Sequence, residues 1–171
     1  MGRPKALVDQ WLVRSIDALR DGGCGAVSVV LGAAADEARL LLDADVEEIV
    51  ALDWAEGIGA SLRAGLAALP ESADAALVSL VDLPDVGADV VRRVLTGTVT
   101  TGTLRRASYL GVPGHPVLIG RDHWKEVAKR AEGDRGARRY LAIHAVEMVE
   151  CFDLATGTDV DMPMPDDHPT L

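Results

Sequence analysis

The residues best placed to do chemistry in this sequence are carboxylates and cations set beside proline and glycine. At the start, Met1-Gly2-Arg3-Pro4-Lys5-Ala6-Leu7 puts a glycine against a cation-proline-cation triplet. Such a turn presents backbone amide hydrogens and two positive side chains to a phosphate. Solvated charges on a frayed terminus would read the same way in isolation. Leu80-Val81-Asp82-Leu83-Pro84 places Asp82 at the end of an apolar run, with Pro84 stiffening the turn. A hard divalent cation such as magnesium takes oxygen ligands and keeps several waters, so one or two carboxylates plus substrate phosphates can hold it. A turn or helix-capping role for Asp82 is the competing reading. Asp161, in Thr158-Asp159-Val160-Asp161-Met162-Pro163, suits either a second metal carboxylate or a solvated acidic turn. His115, between Gly114 and Pro116, suits a hydrogen bond to a phosphate or heterocycle, or a purely structural role. Asp134, in Gly133-Asp134-Arg135-Gly136, stands where a helix N-cap is expected.

Charge narrows the partners. Lys plus Arg number 17 and Asp plus Glu 27, a formal charge of −10, which argues against nucleic acid or an anionic membrane as the main partner. An acidic protein that handles phosphates needs local cations and a divalent metal. With 171 residues, 49% of them apolar, the chain can bury a core without disulfides or a structural metal. Cys24 and Cys151 read as buried thiols, and His123, His144 and His168 have no metal-ligand spacing, so no zinc site is expected. Neither a membrane-length apolar run nor a leader is visible, and a soluble cytoplasmic protein is expected. Trp54 and Trp124 read as core packing. No Ser/His/Asp elbow points to hydrolysis.

These residues need a scaffold that alternates strand and helix. Leu12, Ile16 and Leu19 recur at helical spacing up to Gly22-Gly23. A buried strand is expected over 26–31, a helix over 34–42, a strand over 48–52, a turn at Gly57-Ile58-Gly59 and a helix over 60–69. A second buried strand over 75–81 ends at Asp82, and a helix follows over 89–95. Residues 96–103, rich in Gly and Thr, read as a mobile loop. Two strands, 106–110 and 116–119, are expected to be joined through 111–115. Helices over 121–131 and 134–143 and a last strand over 146–152 complete the pattern, with a single domain over 1–162 and a frayed acidic tail over 163–171. Such alternation predicts a mostly parallel sheet with helices on both faces and ligands beyond the carboxyl ends of the strands.

Six segments, in order, carry a resemblance: Met1-Gly-Arg-Pro-Lys5-Ala-Leu, Gly57-Ile-Gly59-Ala-Ser61-Leu62-Arg-Ala-Gly65-Leu, Leu80-Val-Asp82-Leu-Pro84, Gly114-His115-Pro116-Val117-Leu118, Gly133-Asp134-Arg-Gly136-Ala-Arg138 and Asp159-Val-Asp161. Together they resemble the MobA-like NTP transferases, and within them the molybdenum cofactor cytidylyltransferase branch, which also contains proteins named nicotine blue oxidoreductase. The resemblance implies a Rossmann-like α/β/α nucleotidyltransferase fold that transfers a nucleotidyl group from an NTP, with CTP favoured, and releases pyrophosphate. It implies that Lys5 and Asp82 are catalytic, with Lys5 on the triphosphate and Asp82 on magnesium, and that Asp161 is a second metal ligand. Gly2 and Arg3 would join the phosphate loop, and Gly59, Ser61, Leu62 and Pro84 would contact the nucleotide. His115 and Asp134 would contact the acceptor, a pterin-type phosphate such as molybdopterin destined for a molybdenum hydroxylase. The family pattern opens with a strand and a glycine-rich loop before the segment that starts here at Met1, so both are expected to be absent from this sequence. Two other classes stay open: an NAD(P)H-dependent oxidoreductase, and a non-catalytic module that holds a cofactor for a molybdenum hydroxylase.

Overall fold

The computed structural model describes Leu7 and residues 10–160. Gly2, Arg3, Lys5, Asp161 and the tail over 163–171 lie outside the described residues. The elements run α1 (Trp11–Gly22), β1 (Ser28–Leu31), α2 (Ala35–Arg39), β2 (Glu47–Val50), α3 (Ile58–Ala68), β3 (Ala75–Val78), α4 (Ala88–Leu95), β4 (Leu104–Tyr109), β5 (Val112–Gly120), α5 (Arg121–Arg130), α6 (Arg138–Leu141) and β6 (Glu147–Glu150). Single 3-10 turns at Trp54–Glu56 and Gly133–Arg135 precede α3 and α6. The fold is α/β, as the alternation predicts. β1 and β2 form a parallel pair, and a four-stranded sheet has the order β3-β5-β4-β6. There β3, β4 and β6 run one way and β5 alone opposes them.

The period of two along β5 decides the layers. Leu118 faces one side, where it meets Val90 and Val94 of α4 together with Ala107, Tyr109 and Cys151. Val117 and Ile119 face the other, with Leu66 of α3, Val127 of α5 and Tyr140 and Leu141 of α6. A third cluster joins Leu12 and Ile16 of α1 to Val27, Leu31, Ala38 and Val46, and Val81 packs against it. Burying one such Leu, Ile or Val side chain contributes roughly 1.5–3 kcal/mol, so both faces of the central sheet are held by helices and not by the strand ladder alone. No helix among the described residues is long and apolar enough to cross a membrane.

Several expected boundaries move, each for a local reason. β3 stops at Val78, not Val81: Val78 pairs with Val117, and the next antiparallel partner, Pro116, has no N–H to give. Asp82 therefore stands on a loop past the strand and not at its last rung. The hairpin turn is Leu110-Gly111, with φ of 52° and 77°, the double positive φ of a type I′ turn. His115 consequently lies inside β5 and not in a connecting turn. The helix expected over 134–143 is broken at Gly136 (φ 48°, ψ −129°), so Asp134 sits in a 3-10 turn and makes no side-chain cap. α2 is only Ala35–Arg39, because Leu40 beyond it is 84% exposed and has no core to join. Residues 96–103 are not loose: Gly120 N–H donates to Thr103 O at 2.7 Å and Asp122 N–H to Thr101 O at 2.9 Å. Trp54 is 40% exposed, whereas Trp124 packs against the core and donates its indole N–H to Ile119 O at 2.8 Å.

Candidate active site

The loop that carries Asp82 is fixed from two directions. Leu83 and Val86 are buried against α4, which pins the backbone on either side of the exposed Pro84. From the far end of the chain, Val160 N–H donates to Asp82 O at 3.0 Å. Asp85 accepts both the N–H and the hydroxyl of Thr156 at 2.6 Å, so the segment 156–160 is tied along the loop. The Asp82 side chain is half-buried, with its Oδ1 out of solvent contact. A carboxylate on a braced loop beside a sheet is a hard oxygen donor, and that fits a divalent ion of the magnesium or manganese type. Among the described residues no three His, Cys, Asp or Glu converge into a metal cage. A metal at Asp82 would thus depend on substrate oxygens for the rest of its shell.

His115 reaches the same region through a bulge. Arg106 pairs with Val117 and Ser108 with Pro113, so Gly114, His115 and Pro116 stand opposite Ala107 alone. Bulges of this kind bend a strand and re-aim its side chains, often beside active sites. The bulge is clamped: Tyr109 donates its hydroxyl to His115 O at 2.7 Å, and Arg106 donates from Nε and Nη2 to Gly114 O at 3.2 and 2.9 Å. Gly114 must be glycine, since a Cβ would lie 2.6 Å from the Tyr109 ring. Burial, with Arg106 and Arg138 nearby and Asp82 in weaker opposition, pushes the His115 imidazole down to about 4. At neutral pH it is uncharged, a hydrogen-bonding group and not a cation.

The remaining sequence motifs meet at the start of α3. Gly57 has φ 108° and ψ −178°, and a Cβ there would lie 2.6 Å from Asp134 Oδ1 and from Gly133 C. A Cβ on Gly59 would lie 2.8 Å from the Ala131 carbonyl. Arg63 braces the joint, donating to Ala131 O at 2.6 Å and to Glu56 at 2.7 Å. The glycines at 57 and 59 are therefore needed for close approach to residues 131–134, which brings Asp134 to the N-terminal end of α3. Ser61 is half-buried in α3, and Leu62 packs against the core cluster around Val117.

Sequence reasoning overlooked Arg106 and Asp85, and quoted Arg138 in a motif without giving it a role. Arg106 follows Arg105 in an otherwise apolar strand, and neighbouring strand residues point to opposite faces. Arg105 is satisfied by Glu147, Val94 O and Thr96 O, so the second arginine had to serve something else. That was the available signal. A shallow depression lined by Asp89, Arg92, Arg93, Thr96 and Leu154 lies along α4 and contains none of these groups.

A MobA-like NTP transferase domain model matches residues 1–149. The chain belongs to the MobA-like NTP transferase family. It is accordingly a nucleotidyltransferase. The nicotine blue oxidoreductase of Paenarthrobacter nicotinovorans is 35% identical over 150 residues, which span 82% of this chain and 72% of that protein. The structure of Rv0371c of Mycobacterium tuberculosis H37Rv in complex with manganese superposes with a TM-score of 0.70 at 25% identity, covering 88% of this chain and 83% of that one. A nucleotidyl transferase from Methanothermobacter thermautotroptrophicus shares the fold, with a TM-score of 0.67 at 19% identity over 82% of this chain and 69% of that one. For a MobA-like NTP transferase the task is to hold an anionic triphosphate in an acidic protein. Asp82, Arg106 and Arg138 are the charged side chains that act on His115.

Proposed function

We propose that this protein transfers a nucleoside monophosphate from an NTP, with CTP favoured, to the phosphate of an acceptor such as molybdopterin, and that pyrophosphate leaves. The observation that carries the reading is the gathering of the Asp82 loop, the His115 bulge and two arginines around the β3–β5–β4 part of one sheet. Asp82, with Asp161 as the second carboxylate, would hold magnesium, which supplies charge neutralisation on the phosphates. Lys5, with Gly2 and Arg3, would bind the triphosphate, and Gly59, Ser61, Leu62 and Pro84 would line the nucleoside. Asp134 and His115 would contact the acceptor.

The chain's own part is positioning. A phosphate nucleophile is already ionised near neutrality, so in-line attack on the α-phosphorus needs orientation and electrostatic stabilisation more than a general base. The α-phosphorus forms its new bond to the acceptor oxygen as the bond to the bridging oxygen breaks, and the electron pair leaves with pyrophosphate. Neutral His115 can donate one hydrogen bond to a phosphoryl oxygen without adding charge. A dinucleotide product would be loaded into a molybdenum hydroxylase, in the cytoplasm. The test is pyrophosphate release from each of the four NTPs with magnesium, with and without molybdopterin. Acceptor-dependent release with CTP is expected; release from none of them would overturn the reading.

The name of the curated relative favours a second reading, reduction by NAD(P)H. Loss of nicotinamide absorbance on mixing with nicotine blue tests it, and no turnover is expected, because the chain has no Gly-x-Gly-x-x-Gly fingerprint in its sequence.

A further inference from the structure

Arg106 is a half-buried guanidinium with no carboxylate bonded to it among the described residues, in a chain with 27 acidic side chains. Its hydrogen bonds, from Nε and Nη2, go to the Gly114 carbonyl. Its Nη1 amino group meets no acceptor among the described residues. Burial, and after it the nearby cation Arg138, pulls its affinity for its proton below the usual arginine range. Other arginines of this protein behave differently: Arg20, Arg39, Arg63, Arg93 and Arg105 all meet Asp or Glu. A half-buried guanidinium that meets no carboxylate is unfavourable unless an anion comes to it. An arginine fork with a free edge matches phosphate oxygens.

Strand order then says which phosphate. β5 lies between β3 and β4, and Val117 is flanked by Val78 on one side and Arg106 on the other. Asp82 follows β3, Arg106 is on β4, and His115 is in β5 between them. In-line displacement places nucleophile and leaving group on opposite sides of the phosphorus. Resting on the reading that Asp82 serves the NTP, we propose that Arg106 and Arg138 form the subsite that takes the phosphate of the acceptor, across β5 from Asp82. Arg138 is the first residue of α6, just after the Gly136 break.

The test uses the full chain and two probes, inorganic phosphate and CTP with magnesium. Phosphate binding is followed by NMR at the Arg106 Nε–H, and nucleotide binding by calorimetry. Phosphate is expected to shift the Arg106 resonance saturably, and to do so equally when CTP and magnesium are saturating. R138Q, a change on an exposed side chain, should weaken phosphate by about tenfold or more, as for losing a charge-assisted contact, while nucleotide affinity stays within about threefold. R106K should retain part of the binding and R106Q none, with R138Q deciding the matter if R106Q disturbs the bulge. No saturable shift, an unchanged R138Q, or competition between phosphate and CTP at Arg106 would overturn the proposal. A protein that binds phosphate at Arg106 but never binds CTP would instead remove the nucleotidyl-transfer reading and leave the anion subsite standing.

Discussion

His115 sits among Arg106, Arg138 and Asp82, and the sign of its pH response follows from that company. An unfolded histidine takes up a proton near pH 6.5, whereas the folded one resists until about pH 4. Between those values the unfolded state binds more protons, so stability is full above about pH 6.5 and falls as the pH drops toward 4. The loss from this group alone should be about 3 kcal/mol. Denaturant titrations at several pH values, comparing the protein with H115Q, check it: the acid loss should be clearly smaller in the variant. Equal losses would mean that His115 titrates normally. Asp82 and His115 were legible in the sequence because proline and glycine punctuate their surroundings. Arg106 was not, because its bonds to Gly114 are created by the β5 bulge, which has no local sequence period.

The element that brings two of the six quoted motifs together is the joint between the start of α3 and residues 131–136. At Gly57 a Cβ would meet both Asp134 and the Gly133 backbone, at a φ of 108°. G57A is therefore expected to cost about 1–3 kcal/mol and several degrees of melting temperature. Gly25, with open space around its Cβ position and no positive φ, is the control: G25A should change stability by less than about 0.5 kcal/mol. Thermal melts of the two variants decide it, and equal effects would mean that the joint does not depend on close approach. Periodicity located α1, α4 and α5 within a residue or two, since each has an apolar stripe that a sheet or helix covers. It failed where tertiary partners set the boundary: Pro116 ends β3, and the exposed Leu40 leaves α2 without a reason to continue.

For the molecule as a whole, the governing fact is the charge of −10. A free NTP carries a like charge, and the few cations at the site do not cancel it, so binding should depend on a divalent ion that neutralises part of the triphosphate. Calorimetry with CTP in EDTA should give an affinity at least about tenfold weaker than with magnesium. Raising salt should lessen the repulsion and narrow that gap. Equal affinity in EDTA would remove the metal from the account. The α/β layering was legible from the alternation of strand and helix. The exact hairpin turn was not, because the sequence reading joins the two strands through 111–115 whereas the chain turns at Leu110-Gly111.

The most direct measurement is single-turnover transfer of the α-phosphoryl label of CTP to molybdopterin, with magnesium, comparing the protein with Asp82→Asn. Asparagine keeps the size and most of the hydrogen bonding of the loop that holds Val160, but removes the charge that would hold the metal. The variant should melt within a few degrees of the parent and transfer label at least about 100-fold more slowly. A variant that transfers label at the parent rate and is merely less stable would make Asp82 a turn residue, and would contradict the metal-assisted site on which the proposed transfer depends.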